Sequence, residues 1–469
     1  MISEKVDYIV IGAGMAGLAS AIRLLMFGKK VLIVEKHSIP GGLNSYYKRG
    51  KREFDVGLHA LTNTIKPGDK GKPFHKILKQ LRIPLESFEL NPQSHSLIKF
   101  PEKTLRFTND FNELTESIHQ QFPQDIDQFL KLVEHIKNFN EVALDNETYM
   151  AKDVVRSFIK NESLIEMIFC PLLIYGSAWE NDMDFSQFVV MFKSIYFEGF
   201  SRPTGGVRTI INLLTNKITS LGGEVRYKQA VTKIIEHNGA VCGVLLNNET
   251  LVECSNVLST IGNFETQKLL IPEFVVQDES IGKLSFTESI FITKDKPNTL
   301  GSEATIIFYN NRPNYLYRCP DTFIDNHSAV VCFPNNFKND QMEEGWLRVT
   351  SMANYNLWKQ LNTEDKKSYL LKKEEVATEN IQLLKTLLPE FSGEYLFKDV
   401  FSPTTITRYT GHLGGAVYGS PDKIRSGKFT QTKGLYLAGT DQGFLGIVGA
   451  MLSGISITNL YFLQNGSSE

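Results

Sequence analysis

The chain has 469 residues, of which 42% are hydrophobic and 22% charged, with a formal net charge of −2. That length exceeds one ordinary core, so two domains are expected, and the composition is globular rather than disordered or fibrous. The near-neutral balance supplies no field to recruit nucleic acid; Cys170, Cys242, Cys254, Cys319 and Cys332 form no C-x-x-C pair or His/Cys cluster, which predicts no metal site, no disulfide framework and a reducing, cytoplasmic setting.

Residues 6–11 read as a short buried strand that runs straight into Gly12, Ala13, Gly14, Met15, Ala16 and Gly17. A helix is expected next, with Leu18, Ile22, Leu25 and Met26 at helical spacing and an end near Gly28. Residues 30–34 form a second strand, closed by Glu35 and Lys36. In this βαβ unit Gly12 allows the tight turn, Gly14 the approach of backbone N–H groups to a pyrophosphate, and Gly17 close helix–strand packing. The helix start, Met15 and Ala16 included, offers positive potential to phosphates, and Glu35 can accept hydrogen bonds from ribose hydroxyls. The uncharged run 8–22 is preceded by Glu4 and Asp7 and studded with glycine, so it is not expected to be a signal peptide or a membrane span. A dinucleotide site follows from the unit, but the unit alone does not separate FAD from NAD.

A second glycine pair, Gly41 and Gly42, follows with Leu43 and Asn44, and then the segment Phe54, Asp55, Val56, Gly57, Leu58, His59. Lys66, Lys70, Lys72, Lys76, Lys79 and Arg82 surround Phe74, Ile77, Leu78 and Leu81, spaced i, i+3, i+4, i+7. That predicts a basic amphipathic helix, suited either to covering a core or to meeting an anionic membrane. Residues 168–179 and 185–200 are dense in aromatic and aliphatic side chains, and Phe192 and Phe197 are candidate walls of a long apolar tunnel. The run 222–254 reads as strands at 229–234, 241–246 and 251–254 with a turn at Asn247, Asn248 and Glu249. Near the end, residues 434–441 form a buried strand closed by Gly439, Thr440 and Asp441, followed by Gly443, Gly446, Gly449 and Gly454. Asp441 is a candidate ligand for the ribityl or phosphate side of a cofactor. Backbone N–H groups near Ile447 and Val448, at the start of the next helix, can stabilise negative charge on a bound cofactor.

Glu35, the Gly41–Gly42 pair and the Phe54/Asp55/Gly57 segment together resemble flavoproteins of the amine oxidase superfamily. Arg202, Pro203, Thr204, Gly205 and Gly206, the segments 402–409 and 414–419, and 434–454 narrow the resemblance to phytoene desaturases, carotenoid cis-trans isomerases and retinol saturase. The resemblance implies an α/β, FAD-binding Rossmann-type fold of the two-dinucleotide-binding-domain, glutathione-reductase-like class, with an inserted α+β substrate domain. The FAD-binding domain is expected from residues 1–70, 200–265 and 400–469, and the substrate domain from 71–199 and 266–399. It further implies non-covalent FAD, with Val231 on the adenine side, and chemistry on C–C or C=C bonds of a long hydrophobic substrate. His59, Tyr409 and His412 are the candidate catalytic groups beside the flavin ring, and peripheral membrane contact is expected. Two positions depart from the pattern: Leu43, where many relatives carry Arg, and His59, where a small or polar residue is common. An FAD-dependent amine oxidase and a non-catalytic escort of prenylated proteins share the framework and stand as alternatives.

Overall fold

The computed structural model describes residues 3–57, 59–66, 68–141 and 146–464; Leu58, quoted in the 54–59 motif, lies outside them. At its centre is a five-stranded parallel sheet in the order Glu224–Arg226, Val31–Val34, Tyr8–Ile11, Asn256–Ser259, Leu435–Leu437. These strands are short apolar runs because both faces of the sheet are covered. Val10, Ile33 and Leu258 point to a helical layer containing α1 (Met15–Met26). Ile9, Ile11, Leu32, Val34 and Val257 point to the opposite layer, a sheet that includes Val231–His237, Ala240–Leu246 and Leu251–Glu253. The predicted βαβ unit and the hairpin after Gly222 are therefore both present, and together they make the nucleotide half.

The other half is a seven-stranded sheet in the order Phe397–Phe401, Ser285–Thr293, Gly345–Ala353, Ser328–Cys332, Ile306–Asn310, Ser96–Lys99, Thr104–Phe107. It is antiparallel except where Ile306–Asn310 runs parallel to Ser96–Lys99. One face packs under the helices Glu162–Gly176 and Phe185–Phe192. The other packs under Lys366–Leu387.

Two expectations change. Helix α2 (Pro73–Leu81) forms as the spacing predicts, but Phe74, Ile77, Leu78 and Leu81 are buried in the same cluster as the α1 residues Ala16 and Ile22. Phe74 meets Phe88 edge-on, 5.4 Å between centroids. The apolar stripe is thus spent inside the protein, which removes it as a membrane-inserting face and places residues near 71–90 with the nucleotide half. Lys76, Lys79 and Arg82 stay exposed. Phe192, expected along a tunnel, is fully buried in the core, and Phe197 packs on that core against Phe111.

The last long helix begins with α3 (Gly446–Ile457). Among the described residues, Gly446–Leu463 is the one helix long and apolar enough to cross a membrane, but it packs against α1 as a core helix does.

Candidate functional site

A single cavity of about 730 Å³ runs between the two halves. Gly12, Gly14, Met15, Ala16, Glu35, Lys36, Gly41, Gly42, Leu43, Asn44 and Val231 line one part of it, and Gly439, Gly446, Ile447 and Val448 another. Nearly the whole predicted cofactor set is therefore brought to one surface from segments more than 400 residues apart.

The local geometry explains the residue types. Gly12 has φ +96°, and a Cβ there would stand 2.7 Å from Thr260 Oγ1. A Cβ on Gly17 would stand 2.1 Å from the Gly12 carbonyl oxygen, so Gly17 serves packing and not the cavity, as its expected role requires. Gly14 has φ −75°, and a Cβ built on it meets no protein atom within 4 Å, so any side chain there would project into the cavity.

Glu35 is buried, with Oε2 accepting the Ala13 N–H at 2.8 Å and Oε1 the His37 N–H at 2.9 Å. These bonds fix the carboxylate while each oxygen keeps a lone pair for a ribose hydroxyl. Lys36 reaches across to Gly411. Burial depresses its ammonium pKa, against the pull of Glu35 and Glu265.

These residues fit FAD. Helices α1 and α3 both start on this cavity, and neither has a side-chain cap or an acidic residue in its first turn. Their N–H groups remain available to a pyrophosphate and to a second electron-rich group. At the Glu35 end the buried Gln229 Oε1 has no hydrogen-bond partner among the described residues, although Gln229 lines the cavity. Sequence reasoning passed over Gln229 and Thr260; the only signal for Gln229 was its place at the start of the strand leading to Val231. Replacing Glu35 by Ala is expected to weaken FAD binding by about 1.5–3 kcal/mol, the range for hydrogen bonds to a charged group. Flavin content of the purified variant, titrated against free FAD, measures this.

Asp441 does not reach the cavity. It is 2% exposed; Oδ2 accepts the Asn263 N–H at 2.7 Å and Oδ1 the Ser420 N–H at 2.9 Å, with Lys423 Nζ 3.6 Å away. The tight turn Thr440–Gln442 after Gly439 (φ +95°) puts Thr440 on the cavity wall and aims the carboxylate inward as a cross-link.

The three candidate catalytic groups line the same cavity but are separated. Tyr409 is half exposed, its ring 5.3 Å from His37, at the Glu35 end and not beside His59. His412 is buried near Glu265, which also accepts the Leu413 N–H at 2.8 Å. His59 alone sits at the seven-stranded sheet. Its Nε2 is 3.2 Å from Glu288 Oε1 and 2.9 Å from Thr350 Oγ1. Burial lowers its pKa, with Arg348 adding to that effect against the pull of Glu288. Arg348, 2% exposed, donates Nε–H to Glu288 at 2.7 Å. Desolvation alone would raise the Glu288 carboxyl pKa, but the Arg348 charge and the bond from His59 outweigh it and hold it down at about 2. Around this polar group the wall is Ile174, Tyr175, Met191, Phe286, Val330 and Val417.

Comparison with known proteins agrees with this geometry. Prolycopene isomerase from Daucus carota is 26% identical over 97% of this chain and 79% of its own. All-trans-retinol 13,14-reductase from Danio rerio is 24% identical over 99% of this chain and 87% of its own. The crystal structure of an oxidoreductase from Methanosarcina mazei superposes over 97% of this chain and 100% of its own, with a TM-score of 0.68 at 17% identity, which shows the fold. The flavin-containing amine oxidoreductase model matches residues 15–458, and the chain belongs to that family as an FAD-dependent oxidoreductase.

Proposed function

We propose that the protein moves hydrogen at a carbon–carbon bond of a long, hydrophobic polyene. One observation carries this: the cavity that holds the nucleotide-binding glycines continues without a break into an apolar wall of Ile174, Met191, Phe286, Val330 and Val417. Each buried CH₂ contributes about 0.8 kcal/mol, so such a wall can hold an isoprenoid chain without a polar handle. The carrot and zebrafish relatives, named for prolycopene and all-trans-retinol, support the same substrate class. FAD, when bound, supplies the acceptor or donor of hydride. The protein's part is to hold the chain, exclude water and manage one proton.

Substrates of this kind reside in membranes. Pro73, itself exposed, lines the cavity and starts the helix that carries exposed Lys76 and Lys79, so approach to an anionic lipid surface is electrostatic and not insertional. The test is anaerobic. FAD-loaded protein is mixed with phytoene, prolycopene or all-trans-retinol in vesicles, and the flavin spectrum and extracted products are followed in its oxidised and reduced states. At least one polyene is expected to change the flavin redox state or to be converted, faster from phosphatidylserine vesicles than from neutral ones at low salt. Rapid reduction by small amines with no response to polyenes would put amine oxidation in its place. A purified protein that retains no flavin would favour a lipid escort.

A further inference from the structure

His59 and Glu288 are 229 residues apart in the chain and meet at the cavity wall. Glu288 is an acceptor only, because its carboxyl is ionised and its Oε1 already accepts from Arg348 Nε at 2.7 Å. An imidazole nitrogen 3.2 Å from such an oxygen must carry a hydrogen, or two lone pairs would face each other. Thr350 Oγ1, at 2.9 Å from the same nitrogen, can accept as well. The neutral ring is therefore the Nε2–H tautomer, and Nδ1 holds a lone pair. Among the described residues no group hydrogen-bonds Nδ1. The other groups around the ring are Tyr175, 6.4 Å between centroids, the Arg202 and Arg348 charges, and Cys332, whose Sγ lies 3.7 Å from the His59 carbonyl oxygen. None of the ionisable groups among them is an alternative base: the two guanidiniums carry no lone pair, and burial raises the Tyr175 and Cys332 pKa values.

We propose that His59 accepts the proton released when a C–C bond of the substrate is dehydrogenated, with Glu288 and Arg348 as its positioning residues. The inference rests on the polyene reading above. Two adjacent C–H bonds of the substrate break. FAD, when bound, would take one hydrogen with its electron pair and so serve as the oxidant. The electron pair of the second C–H bond becomes the new π bond, and its proton goes to Nδ1. An allylic carbon that has lost hydride makes its neighbouring C–H strongly acidic, so an imidazole suffices as base. The resulting imidazolium keeps its Nε2–H on Glu288, whose charge stabilises it, the arrangement by which carboxylates orient catalytic histidines. Reversal of the same steps makes the imidazolium the proton donor in a saturation.

Two measurements test this. The first needs no substrate: nitrogen-15 NMR of the FAD-loaded enzyme should show His59 neutral near pH 7 with hydrogen on Nε2 and none on Nδ1. A resting Nδ1–H tautomer overturns the proposal. The second is single-turnover flavin reduction by phytoene in micelles. His59→Gln should keep the FAD content and phytoene Kd of the parent and slow the reduction roughly 10²–10⁴-fold, the usual contribution of a general base. In His59→Ala added imidazole should restore part of the rate. The parent rate should rise with pH as His59 deprotonates. In Glu288→Gln that midpoint should move to lower pH, because the anion that stabilises the imidazolium is gone; a merely structural Glu288 would leave it in place. Flavin reduction by His59→Gln at the parent rate overturns the proposal while leaving the polyene reading intact. If no polyene reduces or reoxidises the parent flavin, the functional reading fails and takes this proposal with it.

Discussion

Replacing Glu288 by Ala is expected to destabilise the protein by about 3–5 kcal/mol, the range for removing one partner of a buried ion pair. Arg348 is 2% exposed on the interior strand Gly345–Ala353, where Glu288 is its ion-pair partner and its Nη2 also donates to the Asp55 carbonyl oxygen at 3.3 Å. A guanidinium does not shed its proton, so a buried Arg348 cannot neutralise itself when the carboxylate is gone. The cost is that of a desolvated charge and not of one lost contact. Replacing both residues together, Glu288→Leu with Arg348→Met, should recover most of the loss, since an apolar pair of similar volume carries no charge to desolvate. Urea unfolding of the FAD-loaded variants measures both. The pair also sets an acid limit. The folded carboxyl is held down at about 2 while the unfolded one titrates in the ordinary range. Its contribution is therefore complete above the ordinary carboxylate range and is lost as pH falls from there toward about 2. The double variant should lack that component of the acid transition. A Glu288→Ala protein within 1 kcal/mol of the parent would show that water or backbone groups solvate Arg348 instead.

The division between what could and could not be read from the chain follows distance along it. The βαβ unit, the hairpin and the C-terminal strand are local patterns. Gly17 is the local case, because the atoms that bar a side chain there belong to Gly12 and Val10, whereas the atom that crowds Gly12 is Thr260 Oγ1, far along the chain. The Glu288–Arg348–Thr350 side of the site was invisible, because its strands belong to a sheet assembled from segments between residues 96 and 401. No local period marks Glu288 as different from any other strand carboxylate. His59 could be singled out only by its place after Gly57. Asp441 was misassigned for a related reason: a carboxylate after a strand end can turn to either side, and the choice was made by N–H groups at Asn263 and Ser420. Phe192 shows the same limit for apolar residues. A core and a cavity wall demand the same side chains, and only packing decides between them.

Replacing Gly454 by Val is expected to destabilise the fold by about 3 kcal/mol, at the upper end of overpacking effects, and to release FAD with it. Gly454 lies where α3 crosses α1, and a Cβ on it would stand 2.1 Å from the Ala16 carbonyl oxygen and 2.9 Å from its carbonyl carbon. Both obstacles are backbone, so no rotamer change relieves them. The helices must separate, against the Ser20–Thr458 hydroxyl bond that ties them and the bond from Gly439 N–H to Ser453 at 2.6 Å. Valine has a slightly better helix propensity than glycine, but that gain is a few tenths of a kcal/mol and does not alter the sign. Ala16 is in the first turn of α1, and α3 begins at Gly446 on the cavity wall, so separation at this crossing misaligns both helix starts that face the cofactor. Gly14→Ala supplies the contrast. Its φ suits alanine and its Cβ meets no protein atom, so the folded protein should be as stable as the parent in the absence of FAD. The methyl group stands in the space the pyrophosphate needs, so FAD affinity should fall all the same. Thermal unfolding with and without excess FAD separates the two. Gly454→Val should melt lower in both conditions, whereas Gly14→Ala should match the parent without FAD and fail to gain the parent's stabilisation when FAD is added. A Gly14→Ala protein that binds FAD as tightly as the parent would mean that the pyrophosphate does not approach the chain at this turn.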